Sequence, residues 1–239
     1  MSTLGDGRHE PGLPYVMLIG RERELAAVRK LLVAGKNFAI VGPEGVGKTA
    51  LVLEATKDMP RVLYCADTST LKKASESLLT QLGLSIAATD NIQRKRSILK
   101  ATAGRNRCFV FDHVQYMPPK LFSLLDAIRE AHQMVVVTRS LAWSEIGHLK
   151  MILWDFDRRQ LNKLRQADAF QLIMTETERL GLEVPSPQQF ARTVWRLSGG
   201  NPHTILDICA RAARGHYIFG NHLSTQLLEL DRRIEKLRL

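Results

Sequence analysis

The chain has 239 residues, 45% hydrophobic and 24% charged, with a formal net charge of +10. These are globular values and supply ample core for one large domain or two small ones. The sequence has no run of 18 or more apolar residues that could cross a membrane as a helix, and the start Met1-Ser2-Thr3-Leu4-Gly5-Asp6-Gly7 lacks the apolar stretch of a secretion signal. Cys65, Cys108 and Cys209 are isolated, without metal or redox spacing, which fits a reducing compartment and a cytoplasmic location.

Residues 1–14 are Gly, Pro and polar, and predict a flexible arm. Apolar positions Leu25, Val28, Leu31 and Leu32 have helical spacing. Asn37-Phe38-Ala39-Ile40-Val41 then reads as a short buried strand, and Ala50 to Ala55 as a helix. Further strands are expected at 61–67, 108–112, 134–138 and 151–154, with helices at 70–82, 91–103 and 119–132 between them. The strands are continuous apolar runs alternating with helices. That pattern predicts a parallel five-stranded α/β sheet covered by helices on both faces. Beyond Trp154 the strand signal ends, and helices are expected at 158–181, 187–198, 202–214 and 223–237. The expected organisation is an arm (1–14), an α/β nucleotide-binding core (15–156) and a small all-helical lid subdomain (157–239).

Between the first strand and its helix lies Gly42-Pro43-Glu44-Gly45-Val46-Gly47-Lys48-Thr49, the pattern G-x-x-x-x-G-K-[ST]. Glycines let the backbone curl so that successive N–H groups point at phosphate oxygens. Lys48 adds a point charge near the outer phosphates, and the Thr49 hydroxyl can ligate Mg²⁺. Ala50 continues the site into the helix. A strand before the loop and a helix after it is the context this chemistry requires.

Asp112 ends the third apolar strand, where a carboxylate can hold Mg²⁺ beside Thr49. His113 follows, at a position where many hydrolysing enzymes of this type keep a water-activating glutamate. A neutral imidazole can accept a proton and Gln115 can orient water; alternatively neither does, and hydrolysis is slow or needs a partner. Asp67 is a poor substitute base if the second strand lies at the sheet edge. Thr138 and Arg139 end the fourth strand. If that strand adjoins the loop strand, Arg139 faces the γ-phosphate. Leu197-Ser198-Gly199-Gly200-Asn201-Pro202-His203 joins two lid helices; Ser198 or Asn201 can cap the second, and Pro202 suits its first turn.

In this order the motifs resemble the STAND branch of the AAA+ ATPases and, more loosely, initiator-like and prokaryotic AAA-type ATPases. The resemblance rests on Ile19-Gly20-Arg21-Glu22, Gly42 to Thr49, Phe111-Asp112, Thr138-Arg139 and Gly200-Asn201-Pro202, and spans residues 16–214. It implies ATP or ADP as ligand with Mg²⁺, Ile19, Gly20 and Arg21 packing near adenine, Pro202 laid against adenine, and a lid that moves with nucleotide state. Two departures are visible: His113 replaces the usual acid, and little sequence follows the lid, so a separate protein partner is expected to carry the output. Homo-oligomerisation is also compatible with the resemblance.

Residues 92–107 carry six basic side chains and no acid: Arg94, Lys95, Arg96, Lys100, Arg105 and Arg107. They form either a nucleic-acid phosphate contact or a solvated helix face, and no aromatic residue is interleaved for base stacking. The expected function is an ATP-binding switch or slow ATPase whose lid movement controls assembly or partner engagement. The alternatives are an ATP-dependent nucleic-acid helper of the transposition or replication type, and a nucleotide-locked scaffold that never hydrolyses.

Overall fold

The computed structural model describes residues 18–85, 90–116, 119–184 and 186–214, and the backbone of the short strands Ile218–Phe219 and His222–Leu223. The expected N-terminal arm, and the helix expected over 223–237 beyond its first residue, lie outside the described residues.

Helix α1 (Glu22–Val33) leads to β1 (Phe38–Val41), α2 (Lys48–Thr56), β2 (Val62–Cys65), α3 (Leu71–Gln81), α4 (Asn91–Thr102), β3 (Cys108–Val114), α5 (Pro119–Ala131) and β4 (Gln133–Thr138). A short helix, α6 (Trp143–Ile146), and a 3₁₀ turn (Gly147–Met151) precede β5 (Asp157–Gln160). The five strands form one parallel sheet in the order β2-β3-β4-β1-β5. The three central strands are buried on both faces, which is why they read as unbroken apolar runs.

Strand alternation divides the core in two. Phe38, Ile40, Val110, Val135 and Val137 face α1 and α2, packing on Val28, Leu32, Leu51 and Val52. Ala39, Val41, Phe109, Phe111 and Val136 face α3, α4 and α5, packing on Leu78, Leu79, Ile98, Leu121 and Leu124. Cys65 and Cys108 are small core residues of this sheet, and burial pushes both thiols up to about 12.

Helices α7 (Gln166–Arg179), α8 (Pro187–Ser198) and α9 (Pro202–Ala213) form the lid around a core of their own, including Leu172, Ile173, Phe190, Val194, Ile205 and Ile208. The short strands after α9 pair antiparallel.

The fifth strand is not where its apolar run predicts. Ile152 and Leu153 are buried beside the 3₁₀ turn, while Met151 and Trp154 are exposed. The paired segment is Asp157-Arg158-Arg159-Gln160, whose side chains are all exposed. A short edge strand paired on one side only needs no apolar face, and charge there discourages pairing with other chains. The sheet thus includes residues 157–160, beyond the expected fifth strand. The helix expected from 158 starts at Gln166, because β5 and an extended connection take up the first eight residues.

Phe109 is fully buried and stacks on Phe111 with ring centroids 6.3 Å apart. Phe109→Ala is expected to lower stability by about 3–5 kcal/mol through the cavity left behind. Urea denaturation measures this, and a loss below about 1 kcal/mol would contradict the packing described.

Candidate nucleotide-phosphate site

The loop between β1 and α2 is shaped by glycines that cannot be replaced freely. A Cβ on Gly42 would lie 2.2 Å from the Leu161 carbonyl oxygen, where the chain runs out of β5. Gly47 caps α2 with φ 94°, a left-handed conformation, and a Cβ there would meet nothing within 4 Å: it would project into open space at the helix N-terminus.

Every carbonyl of the loop is engaged. Lys48 Nζ donates to the Gly42 and Pro43 oxygens at 2.7 and 2.8 Å. The Glu44 oxygen accepts from Asn201 Nδ2 at 2.8 Å, the Gly45 oxygen from the His203 N–H at 3.1 Å, and the Val46 oxygen from Arg21 Nη2 at 3.2 Å. The Gly47 oxygen accepts from the Leu51 N–H inside α2, at 2.9 Å. Among the described residues, the N–H groups of Gly45, Val46, Gly47 and Lys48 have no hydrogen-bond partner. Four unpartnered donors at a helix N-terminus fit an anionic, multi-oxygen ligand such as a nucleotide phosphate chain. Burial lowers the Lys48 ammonium pKa, while Asp112 and Glu44 pull it back up.

A cavity of about 440 Å³ opens over this loop, lined among others by Lys48, Thr49, His113, Arg139, Pro202 and Leu206. Gly45, Gly47, Ala50, Glu44 and Gln115 also line it. The structure thus gathers loop, third-strand end, fourth-strand end and lid around one space. Strand β4 pairs with β1, which carries Arg139 to the loop; its Nη2 lies 3.8 Å from Glu44 Oε2 in an exposed pair worth little in stability. The Thr138 hydroxyl is buried and occupied with the Val114 and Ser140 carbonyls.

Asp112 is fully buried and does not line the cavity. Tyr64 Oη donates to its Oδ2 at 2.6 Å, and the His113 N–H donates to its Oδ1 at 2.7 Å. The carboxylate is therefore fixed behind the cavity wall. Burial raises the Tyr64 phenol pKa, reinforced by its bond to Asp112, so Tyr64 stays a donor. Between Phe111 and Val114, β3 spends one residue more than its partner β4 does between Val136 and Thr138. This bulge puts His113 at φ 50°, the one positive value at a non-glycine among the described residues, and turns its side chain, 69% exposed, toward the cavity.

Ile19, Gly20 and Arg21 do not line the cavity. Ile19 packs in the lid core, and a Cβ on Gly20 would lie 2.5 Å from Asp168 Cγ on α7. Arg21 is buried and bridges the Val46 carbonyl of the loop to the Asn162 carbonyl after β5, while pairing with Glu24 at 3.1 Å. Pro43 and Val46 also lie off the cavity wall, Val46 inside the α1/α2 core. Asp67 at the end of edge strand β2 is occupied by Lys73 at 2.8 Å and by the Ser69 N–H.

The basic segment falls on α4 and the turn after it. Arg94 is buried and pairs with Glu76 at 3.4 Å, Lys95 holds the Ser123 carbonyl and hydroxyl, and Arg107 donates to the Pro60 carbonyl. Arg96, Lys100 and Arg105 are exposed. Among the described residues, no group of three His, Cys, Asp or Glu could hold a metal by itself, and no helix is long and apolar enough to cross a membrane.

Neither protein-family models nor curated proteins give a match to this sequence. Solved structures do. The chain is similar to Orc1 of Aeropyrum pernix in complex with DNA (TM-score 0.67, 15% identity), over 92% of this chain and 66% of that one. It is similar to a Walker-type ATPase of Pyrococcus abyssi (TM-score 0.60, 13% identity), over 92% and 76%. It is also similar to a STAND protein with a tetratricopeptide repeat sensor from Pyrococcus horikoshii (TM-score 0.50, 18% identity), over 79% of this chain and 29% of that one. The chain thus spans just under two thirds of the Orc1 chain. Its fold is that of the P-loop AAA+ ATPases.

Sequence reasoning passed over Tyr64 and the lid donors to the loop. Tyr64 reads only as an apolar strand residue, and a cap asparagine does not announce a second partner. Tyr64→Phe is expected to cost about 1–3 kcal/mol by leaving a buried carboxylate oxygen short of a donor. An unchanged urea midpoint would show that Asp112 does not depend on Tyr64.

Proposed function

We propose that this chain is an ATP-binding switch of the AAA+ type with slow or partner-dependent hydrolysis. The observation that carries the reading is the loop itself, with all carbonyls from Gly42 to Gly47 engaged and the N–H groups of Gly45 to Lys48 unpartnered. In this reading Lys48 leaves the Gly42 and Pro43 carbonyls to meet the outer phosphates, and Arg139 exchanges Glu44 for the γ-phosphate. Thr49 and Asp112 are the residues that would hold Mg²⁺, Thr49 from the cavity wall and Asp112 from behind it. Mg²⁺ takes few protein ligands when phosphates supply the rest, and it neutralises charge on the transferred group. Ile19 to Arg21 act from behind the loop, and Pro202 lies at the base.

Hydrolysis turns on His113. It stands where water would be activated, beside Gln115, and it is exposed. A switch that holds ATP for long periods needs no strong base there, and its output passes to a protein partner or to another copy of the chain. A second reading, an ATP-dependent nucleic-acid helper, is favoured by Arg96, Lys100 and Arg105, which stay exposed when the other three basic residues are used internally. Charge reversal of these three should abolish retention on DNA under that reading and leave ATP binding unchanged under both.

Lys48→Ala should weaken Mg·ATP binding by roughly tenfold to a hundredfold, the worth of a charge-assisted contact. Isothermal calorimetry on the folded variant measures it, and an unchanged affinity would remove the phosphate-loop assignment. If His113 is the base, His113→Ala should lower turnover by about 10²–10⁴-fold. If it is a passive replacement, His113→Ala changes little and His113→Glu raises phosphate release.

A further inference from the structure

We propose that Asn201 is a positioning residue for the phosphate site, holding the loop in its anion-binding form from the lid. The inference rests on the nucleotide reading above and concerns how that site is set. The carbonyls of Glu44, Gly45 and Val46 belong to neither a strand nor a helix, so nothing in regular secondary structure fixes their direction. All three accept bonds from outside the loop: from Asn201 Nδ2, from the His203 N–H and from Arg21 Nη2. Two of these donors come from the junction of α8 and α9, Asn201 from the turn as the N-cap and His203 from the first turn of α9.

That turn is itself tied to the connection after β5. The Gly200 carbonyl accepts from the Leu164 N–H at 2.8 Å, the Ser198 hydroxyl accepts from the Gly200 N–H at 3.2 Å, and a Cβ on Gly200 would lie 2.5 Å from the Leu164 oxygen. The side chains of Asn201 and His203 pack directly on the loop where Gly45 has none of its own, for a Cβ on Gly45 would lie 2.6 Å from Asn201 Oδ1 and 2.9 Å from His203 Cβ.

Asn201 does two jobs with one amide. Its Oδ1 accepts from the Thr204 N–H at 3.3 Å and caps α9, while its Nδ2 donates to Glu44. Asparagine, aspartate and serine serve about equally as helix caps. Only the amide places an acceptor and a donor on the same planar group, one for the helix and one for the loop. Without the donor, the Glu44–Gly45 peptide is free to rotate, and Gly45 at φ 77° tolerates the change. A rotated peptide would aim a carbonyl instead of an N–H at the phosphates. Seating of the lid thus favours phosphate binding, and by reciprocity phosphate binding holds the lid.

Asn201→Asp separates the two jobs, because it keeps the cap oxygen and removes the donor. The experiment reads hydrogen–deuterium exchange of the 42–49 peptide without nucleotide, and Mg·ATP affinity by calorimetry, on the full chain. Expected are helical content equal to the native protein, clearly faster exchange across the loop, and an affinity roughly threefold to tenfold weaker, as for loss of one hydrogen bond. Asn201→Ser keeps a cap without the reach to Glu44 or the added carboxylate; it should show the same faster exchange, and it replaces the aspartate variant if that one does not fold. Native exchange rates across the loop in the folded variant would overturn the inference. If the native protein binds no Mg·ATP, the nucleotide reading fails, while the loop exchange still decides the role of Asn201.

Discussion

A phosphate loop can offer its N–H groups inward only if its carbonyls are held outward. Here that constraint is met carbonyl by carbonyl from Gly42 to Gly47, by five different donor groups: the Lys48 ammonium, the Asn201 amide, the His203 and Leu51 backbones, and the Arg21 guanidinium. Three of the five lie outside the loop and its helix. The loop's geometry is therefore not a local property of eight residues but the meeting point of core, lid and N-terminal segment. A hydrogen bond of this kind contributes about 0.5–1.5 kcal/mol net, so together the bonds hold the arrangement while each is small enough to be exchanged.

This has a consequence for the segment Ile19-Gly20-Arg21. Ile19 sits in the lid core, Gly20 lies against α7, and Arg21 reaches both the loop and the connection after β5. The segment is a second tie between lid and loop, through a carbonyl that Asn201 does not use. On the other wall of the cavity, the β3 bulge trades a regular strand for an exposed His113 at φ 50°, while Tyr64 pins Asp112 behind it. A left-handed non-glycine residue costs about 1–3 kcal/mol, and its place at the cavity edge is where such strain is commonly kept.

Much of this was legible in the sequence because burial on both faces writes itself as continuous apolar strands. Phe38 to Val41, Cys108 to Phe111 and Met134 to Val137 needed no tertiary information. The Gly42–Gly47 loop was legible because its glycines are required by backbone geometry, and the pairing of β4 with β1, which the sequence left as a condition for placing Arg139, is met in the fold. Strand β5 was not legible: its position is set by pairing with β1 alone, and Asp157-Arg158-Arg159-Gln160 carries no apolar face, whereas Ile152 and Leu153 are buried without being a strand. The basic run at 92–107 was legible as charge but not as contact, since the ion pair of Arg94 and the hydrogen bonds of Lys95 and Arg107 depend on α3, α5 and the start of β2. The second bond of Asn201 was hidden for a similar reason, because one cap partner already accounts for the residue.

The central claim is that nucleotide at the loop and position of the lid are one equilibrium. The most direct test is the distance between spin labels on exposed Arg192 of α8 and exposed Lys72 of α3, measured by pulsed electron resonance with and without Mg·ATP. The native cysteines Cys65, Cys108 and Cys209 are buried. The account predicts a distance distribution that narrows or shifts on adding Mg·ATP and reverts when Mg·ATP is removed. Identical distributions at saturating Mg·ATP would contradict it.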